Sequence, residues 1–308
     1  MKGLSFMYKR ILYQIMALSI FVGTASNIYA QTWEELFKKK EMLFKAHPEL
    51  EIIKKQYAAF KNGTAPKIAD DVIKNIPIHE CGEHLVDIKK LSKKYPRITM
   101  MPDPEKPFES DSCNSGLANA SKMRATIFSH LVNMVAWLDE FSGDFGYERN
   151  QMIIKVFEGL RHLKTQEILF NNKKAAIMAA NPAMTDEEAE AETSKWVSPV
   201  KNNVPVHSTG AAVDIRLWDT LKKDYVDAAK FGVIWGDNKS APTFSENITD
   251  EQKNNRFYFL AAAAKASLTN YPMEHWHVGD HDKVSAFWRE DDPNKRVALY
   301  GPCPLNQE

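Results

Sequence analysis

Along much of this chain apolar residues recur at helical intervals, and in a few short segments they cluster or alternate as strands do. Between Trp33 and Phe60, Leu36, Phe37, Met42, Leu43, Leu50, Ile53 and Tyr57 stand among many lysines. That pattern predicts amphipathic helix broken near Pro48. Met123, Ile127, Leu131, Val135 and Leu138 predict a long core helix over about 118–141. Met152 to Phe157 reads as a short buried strand, followed by a helix from about Thr165 to Ala180 that Asn181-Pro182 breaks. Thr185 with Glu188 forms a capping-box pattern opening an acidic, solvated helix that runs to about Trp196. From Ala211 to Leu217, Val213, Ile215 and Leu217 alternate with Ala212, Asp214 and Arg216, as in a half-buried strand whose Asp214 points away from the apolar layer. Asp250 to about Leu268 should be helical, and Pro272 leads into a further strand at Glu274-His275-Trp276-His277-Val278. Long helices with short strands predict an α+β fold with a small antiparallel sheet and packed helices.

Composition narrows the partners. Lys+Arg and Asp+Glu are both 40 in 308 residues, so there is no basic excess to neutralise phosphates, and nucleic acid is not expected. Lys2, Lys9 and Arg10 precede an apolar stretch from Ile11 to about Thr24 and a small, polar end at Ala30. This is the layout of a signal peptide over 1–30, so the mature protein should be exported, periplasmic or secreted, with no stable membrane span after cleavage. Residues 31–79 are then expected to form a helical N-terminal extension, and 80–308 a single domain without repeats or long linkers. The basic extension is first a packing element; contact with an anionic membrane surface is the alternative. Cys81, Cys113 and Cys303 lack C-x-x-C spacing, which argues against sulfur ligation of a metal. They allow one disulfide of three pairings, or three free thiols.

Two separated stretches carry candidate chemistry. A hydrolytic metal site needs three nitrogen or oxygen ligands, one open position and a nearby carboxylate. In His207-Ser208-Thr209-Gly210-Ala211-Ala212-Val213-Asp214, Gly210 permits a tight turn between a loop histidine and an aspartate on the next strand. In Glu274-His275-Trp276-His277, Glu274 and His277 have opposite strand parity, so joining both to one metal requires a twist, bulge or strand end. His275 and His277 share parity and are a rival ligand pair. Spacing alone does not choose between them.

The sequence resembles the vancomycin-resistance-type D-alanyl-D-alanine dipeptidases, zinc D,D-peptidases with the hedgehog-like fold. Their His-x-x-Gly-x-Ala-x-Asp motif is matched by His207, Gly210, Ala212 and Asp214, and their Tyr-Pro-x-Glu-x-Trp-His run by Tyr271 to His277. Asn255-Arg256, Glu158-Gly159-Leu160-Arg161 and Cys81-Gly82-Glu83 through Asp87 extend the likeness over roughly residues 80 to 280. The resemblance implies one zinc ion per chain on His207, Asp214 and His277. It also implies Glu274 as general base and Arg161 as the residue steadying substrate and oxyanion, with a cell-wall peptide as substrate.

The chain departs from that pattern in two places. Pro205 replaces a serine two residues before the first ligand, and Asp237 is displaced by one from a family aspartate. Both changes touch groups expected to read the free amino end of a dipeptide, which keeps D,D-dipeptidase and D,D- or L,D-carboxypeptidase as competing enzymes. A zinc-bearing module that binds cell-wall peptides or a protein partner without cutting is the non-enzymatic alternative. His162, His275 and His281 are expected in supporting or surface positions.

Overall fold

The protein is described by a computed structural model that covers residues 30–101, 119–229 and 239–303. The predicted signal segment, apart from Ala30, lies outside the described residues, as do Cys113 and the Phe231–Asp237 stretch. None of the helices among the described residues is long and apolar enough to cross a membrane.

The N-terminal stripe breaks at Lys40 and again at Pro48, giving helices Trp33–Lys39, Glu41–Ala46 and Glu51–Lys61 with a 3-10 turn at Pro48–Leu50. Their apolar faces are buried. Phe37 meets Phe44 and Tyr57 edge-on, Phe44 stacks on Phe257, and the Trp33 indole donates to the Ser245 carbonyl at 3.2 Å. Each such aromatic side chain removed from water contributes about 1.5–3 kcal/mol before entropy is charged against it. Residues Trp33–Glu308 accordingly form one compact unit.

The long central helix is Ala125–Phe141, with Ile127, Phe128, Leu131, Met134, Leu138 and Phe141 buried. Its predicted first turn is instead strand β3 (Lys122–Arg124), which pairs antiparallel with β1 (Leu85–Asp87). The difference has a tertiary cause: the Arg124 backbone N–H donates to the Gly210 carbonyl at 2.9 Å, a contact between distant segments that helical geometry would forfeit.

The main sheet runs β2 (Ile98–Met100), β4 (Met152–Glu158), β5 (Ala212–Asp219), β8 (Glu274–Gly279), β7 (Thr269–Tyr271), with β6 (Asp224–Tyr225) beside the end of β5. It is antiparallel except at the edge, where β2 joins β4 in parallel. On β5, Val213, Ile215 and Leu217 enter the main core under helices Ala125–Phe141 and Asp250–Lys265. A helical hairpin, Leu163–Ala180 and Asp186–Ser194, leaves the sheet after β4, and the Thr185–Glu188 capping box opens its second helix.

Candidate metal centre

Three neighbouring strands bring the candidate residues to one level. A one-residue slip between Val156 and Glu158 sets Glu158 opposite Asp214, and Asp214 lies opposite His277 on β8. His207 arrives from a 3-10 turn, Val206–Thr209, closed by Gly210 in the left-handed region with φ of 71°. A side chain at Gly210 would also meet Leu85 Cδ2 at 2.8 Å. The turn is pinned from outside by Arg124, whose Nε donates to the Thr209 carbonyl at 2.8 Å.

The predicted parity problem is met by a register slip in β8. Asn270 lies opposite Val278, but Tyr271 lies opposite Glu274, so His275, Trp276 and His277 are accommodated in a bulge on the β7 side. The bulge separates the two histidines. His275 approaches the Ala241 carbonyl at 3.3 Å on the Arg256 side, where burial and then the Arg256 charge press its pKa well below the ordinary value. His277 turns to Asp214, its Nδ1 at 2.9 Å from Oδ1.

His207, Asp214 and His277 are all buried and together form the group of side chains, among the described residues, able to hold a metal ion. His207 Nε2 stands 3.1 Å from His277 Nδ1 and 3.3 Å from Asp214 Oδ1. The Gly159 carbonyl, 3.0 Å from His207 Nδ1, can only accept, so Nδ1 carries the hydrogen and Nε2 presents a lone pair. The three candidate donor atoms therefore stand 2.9–3.3 Å from one another in a buried cluster. Tetrahedral zinc with bonds of about 2.0–2.1 Å requires ligand-to-ligand edges of roughly 3.3–3.4 Å, close to this spacing. The donor set and its geometry fit a small, borderline-soft cation with a fourth position left open.

Electrostatics divide the two acids. Burial works to raise the Asp214 carboxyl, but His207 and then His277 outweigh it and hold the group well below the usual carboxylate range. Burial and the Asp214 charge push Glu274 up. Glu274 lies 3.8 Å from His277 Nδ1, outside the group of three able to hold the ion, and its side chain keeps 26% exposure, so solvent or a substrate can reach it. Arg161 is held by Glu158 through Nε at 2.6 Å and again through a second nitrogen, while its third nitrogen donates to Gln166 at 2.8 Å. Burial disfavours the guanidinium, yet Glu158, with Asp214 and Glu274 further off, keeps it charged.

The other histidines take different places. His162 caps helix Leu163–Ala180 through Nδ1, and His281 lies 3.3 Å from Asp280. Pro205 precedes the His207 turn as its cap residue, without a hydroxyl. Cys81 is exposed and Cys303 buried, both as free thiols. The role of Glu158 was not read from the sequence; an opposite charge three residues before Arg161 was its available signal. Asn270 and Thr243, which hold the β8 bulge, carried no sequence signal.

No protein-family model matches the chain. A D-alanyl-D-alanine dipeptidase from Synechocystis is 25% identical over 170 residues, which cover 48% of this chain and 68% of that protein. The chain resembles the D-alanyl-D-alanine dipeptidases. Among solved structures, a variant of the vancomycin-resistance D,D-pentapeptidase VanY in complex with Zn(II) matches at 18% identity. That match covers 56% of this chain and 82% of that one, at a TM-score of 0.29.

Proposed function

We propose that this chain is an exported zinc peptidase that hydrolyses cell-wall peptides containing D-amino acids, either free D-Ala-D-Ala or a stem peptide ending in D-Ala. The convergence of His207, Asp214 and His277, with Glu274 beside them, carries the reading. The likeness to a D-alanyl-D-alanine dipeptidase supports the substrate class.

His207, Asp214 and His277 would hold the zinc ion, which when bound would supply Lewis acidity and lower the pKa of a water molecule beside it. The chain's own residues do the rest. Glu274, raised by burial and by Asp214, takes the proton of the attacking water and delivers it to the leaving amine. Arg161, kept charged and oriented by Glu158, donates to the oxyanion that develops on the scissile carbonyl. Pro205 offers no hydroxyl to a substrate amine, which favours the broader description of a cell-wall peptidase over a strict dipeptidase.

The test is hydrolysis of free D-Ala-D-Ala and of an N-acylated peptide ending in D-Ala-D-Ala, with and without chelator. Chelator-sensitive release of D-Ala is expected, and the ratio of the two rates separates dipeptidase from carboxypeptidase. Stoichiometric zinc with no cleavage of either peptide would instead favour a binding module. Full zinc retention by His207→Ala would remove the ligand assignment.

A further inference from the structure

The β8 bulge gives Glu274 and His277 their common orientation, and a bulge leaves carbonyls that regular pairing would have satisfied. Here one amide collects them. Asn270 Nδ2 donates to the Glu274 carbonyl at 3.0 Å and to the His277 carbonyl at 2.8 Å, using both of its hydrogens. Its Oδ1 accepts from the Thr243 hydroxyl at 2.7 Å, and its own backbone carbonyl accepts from Gln56 at 2.7 Å. The Thr243 backbone N–H in turn donates to Pro272 at 2.9 Å, at the turn between β7 and β8. Asn270, Thr243 and Gln56 are all buried.

The amide can sit only one way round. Flipped, its oxygen would face two carbonyls that cannot donate. An aspartate would place a charge against the same two carbonyls. The carbonyls joined by this amide belong to the residue read as base and to one read as ligand, so the spacing between those side chains is set from behind.

We propose that Asn270, oriented by Thr243, is the positioning residue that fixes the β8 bulge and so holds Glu274 and His277 in register for a single metal ion. The catalytic consequence rests on the peptidase reading; the structural one does not. Gln56 ties the clamp to helix Glu51–Lys61, which gives the N-terminal helical segment a part in supporting the site.

The experiment compares the full chain with Thr243→Val, which keeps the volume but loses the hydroxyl, and with Thr243→Ser, which restores it. Thr243→Ala serves if the valine does not fold. Three readouts are taken: hydrogen exchange of residues 272–279 in metal-free protein, the visible absorption spectrum after loading with Co(II), and kcat and KM on D-Ala-D-Ala. Outer-shell partners of metal sites typically alter affinity or activity by about 10–100-fold, and a loss near the lower figure is expected, in kcat rather than KM. Thr243→Val should show faster local exchange and a changed cobalt spectrum, with Thr243→Ser close to the parent. Parent-like exchange and spectrum in folded Thr243→Val, or no recovery in Thr243→Ser, would overturn the proposal. Failure of the parent to take up Co(II) would sink the zinc reading instead, and the exchange comparison alone would then decide the clamp.

Discussion

Replacing Glu158 by glutamine tests how Arg161 is held. The Glu158 carboxylate is 1% exposed and receives two guanidinium nitrogens, one of them at 2.6 Å. Glutamine keeps the shape and one acceptor oxygen, but sets an NH2 group against the second guanidinium donor. Loss of one charge-assisted hydrogen bond costs about 1.5–3 kcal/mol. Breaking a buried pair outright costs roughly 3–5 kcal/mol. Arg161 keeps Gln166 and the attraction of Asp214 and Glu274, so a value of about 2–3 kcal/mol is expected, toward the lower range. For a chain of this size that is roughly 3–5 °C in Tm. A guanidinium no longer gripped by both carboxylate oxygens loses the fixed orientation that Glu158 gives it. A fall in kcat of about 10–100-fold should follow, with zinc content unchanged. Thermal denaturation, steady-state kinetics and metal analysis on Glu158→Gln measure all three quantities. A folded variant with parental Tm and parental kcat would refute the reasoning, because the pair would then be neither structural nor orienting.

Other perturbations have separate outcomes. Glu274→Gln should lower turnover by about 10²–10⁴-fold while zinc stays bound, since the group able to hold the ion is His207, Asp214 and His277 without Glu274; kinetics alongside metal analysis checks both halves. Gly210→Ala should destabilise by about 1–2 kcal/mol from its left-handed backbone, plus a smaller amount for displacing the flexible end of Leu85, as read by urea unfolding. For Asp139, burial raises the carboxyl, but the fork of hydrogen bonds from Arg97 and the Asn150 N–H outweigh it and the pKa is lowered. The folded state thus binds its proton more weakly than the unfolded state. Its contribution should be complete above the unfolded value near ~4 and fade as pH falls through the lower folded value. Asp139→Asn should therefore be less stable than the parent at neutral pH, and the difference should shrink in acid; a gap that stays constant down to about pH 2 would contradict the assignment.

Local pattern was enough to locate most elements. The Thr185–Glu188 capping box, the break near Pro48, and the face of β5 that carries Val213, Ile215 and Leu217 all depend on residues close in sequence, where capping, proline geometry and side-chain alternation act. The left-handed turn at Gly210 was legible for the same reason. The order of the chemical groups was also written in the chain: two donors flanking a glycine, and a later run of acid and histidines.

Local pattern could not choose which histidine turns toward Asp214; the resemblance pointed to His277, and the tertiary structure carries the physical reason for its orientation. Strand parity made His275 and His277 equivalent, and the choice depends on a bulge stabilised by Asn270, Thr243 and Gln56, from segments far apart along the chain. Likewise, residues 122–124 became a strand rather than helix because Gly210, many residues later, supplies an acceptor for Arg124. Glu158 gained its place by a bulge that sets it opposite Asp214. Sequence determined the local geometry and the kinds of atoms available. Long-range hydrogen bonds across a slipped sheet determined which of those atoms meet, because pairing between strands is set by partners that no short window of sequence contains.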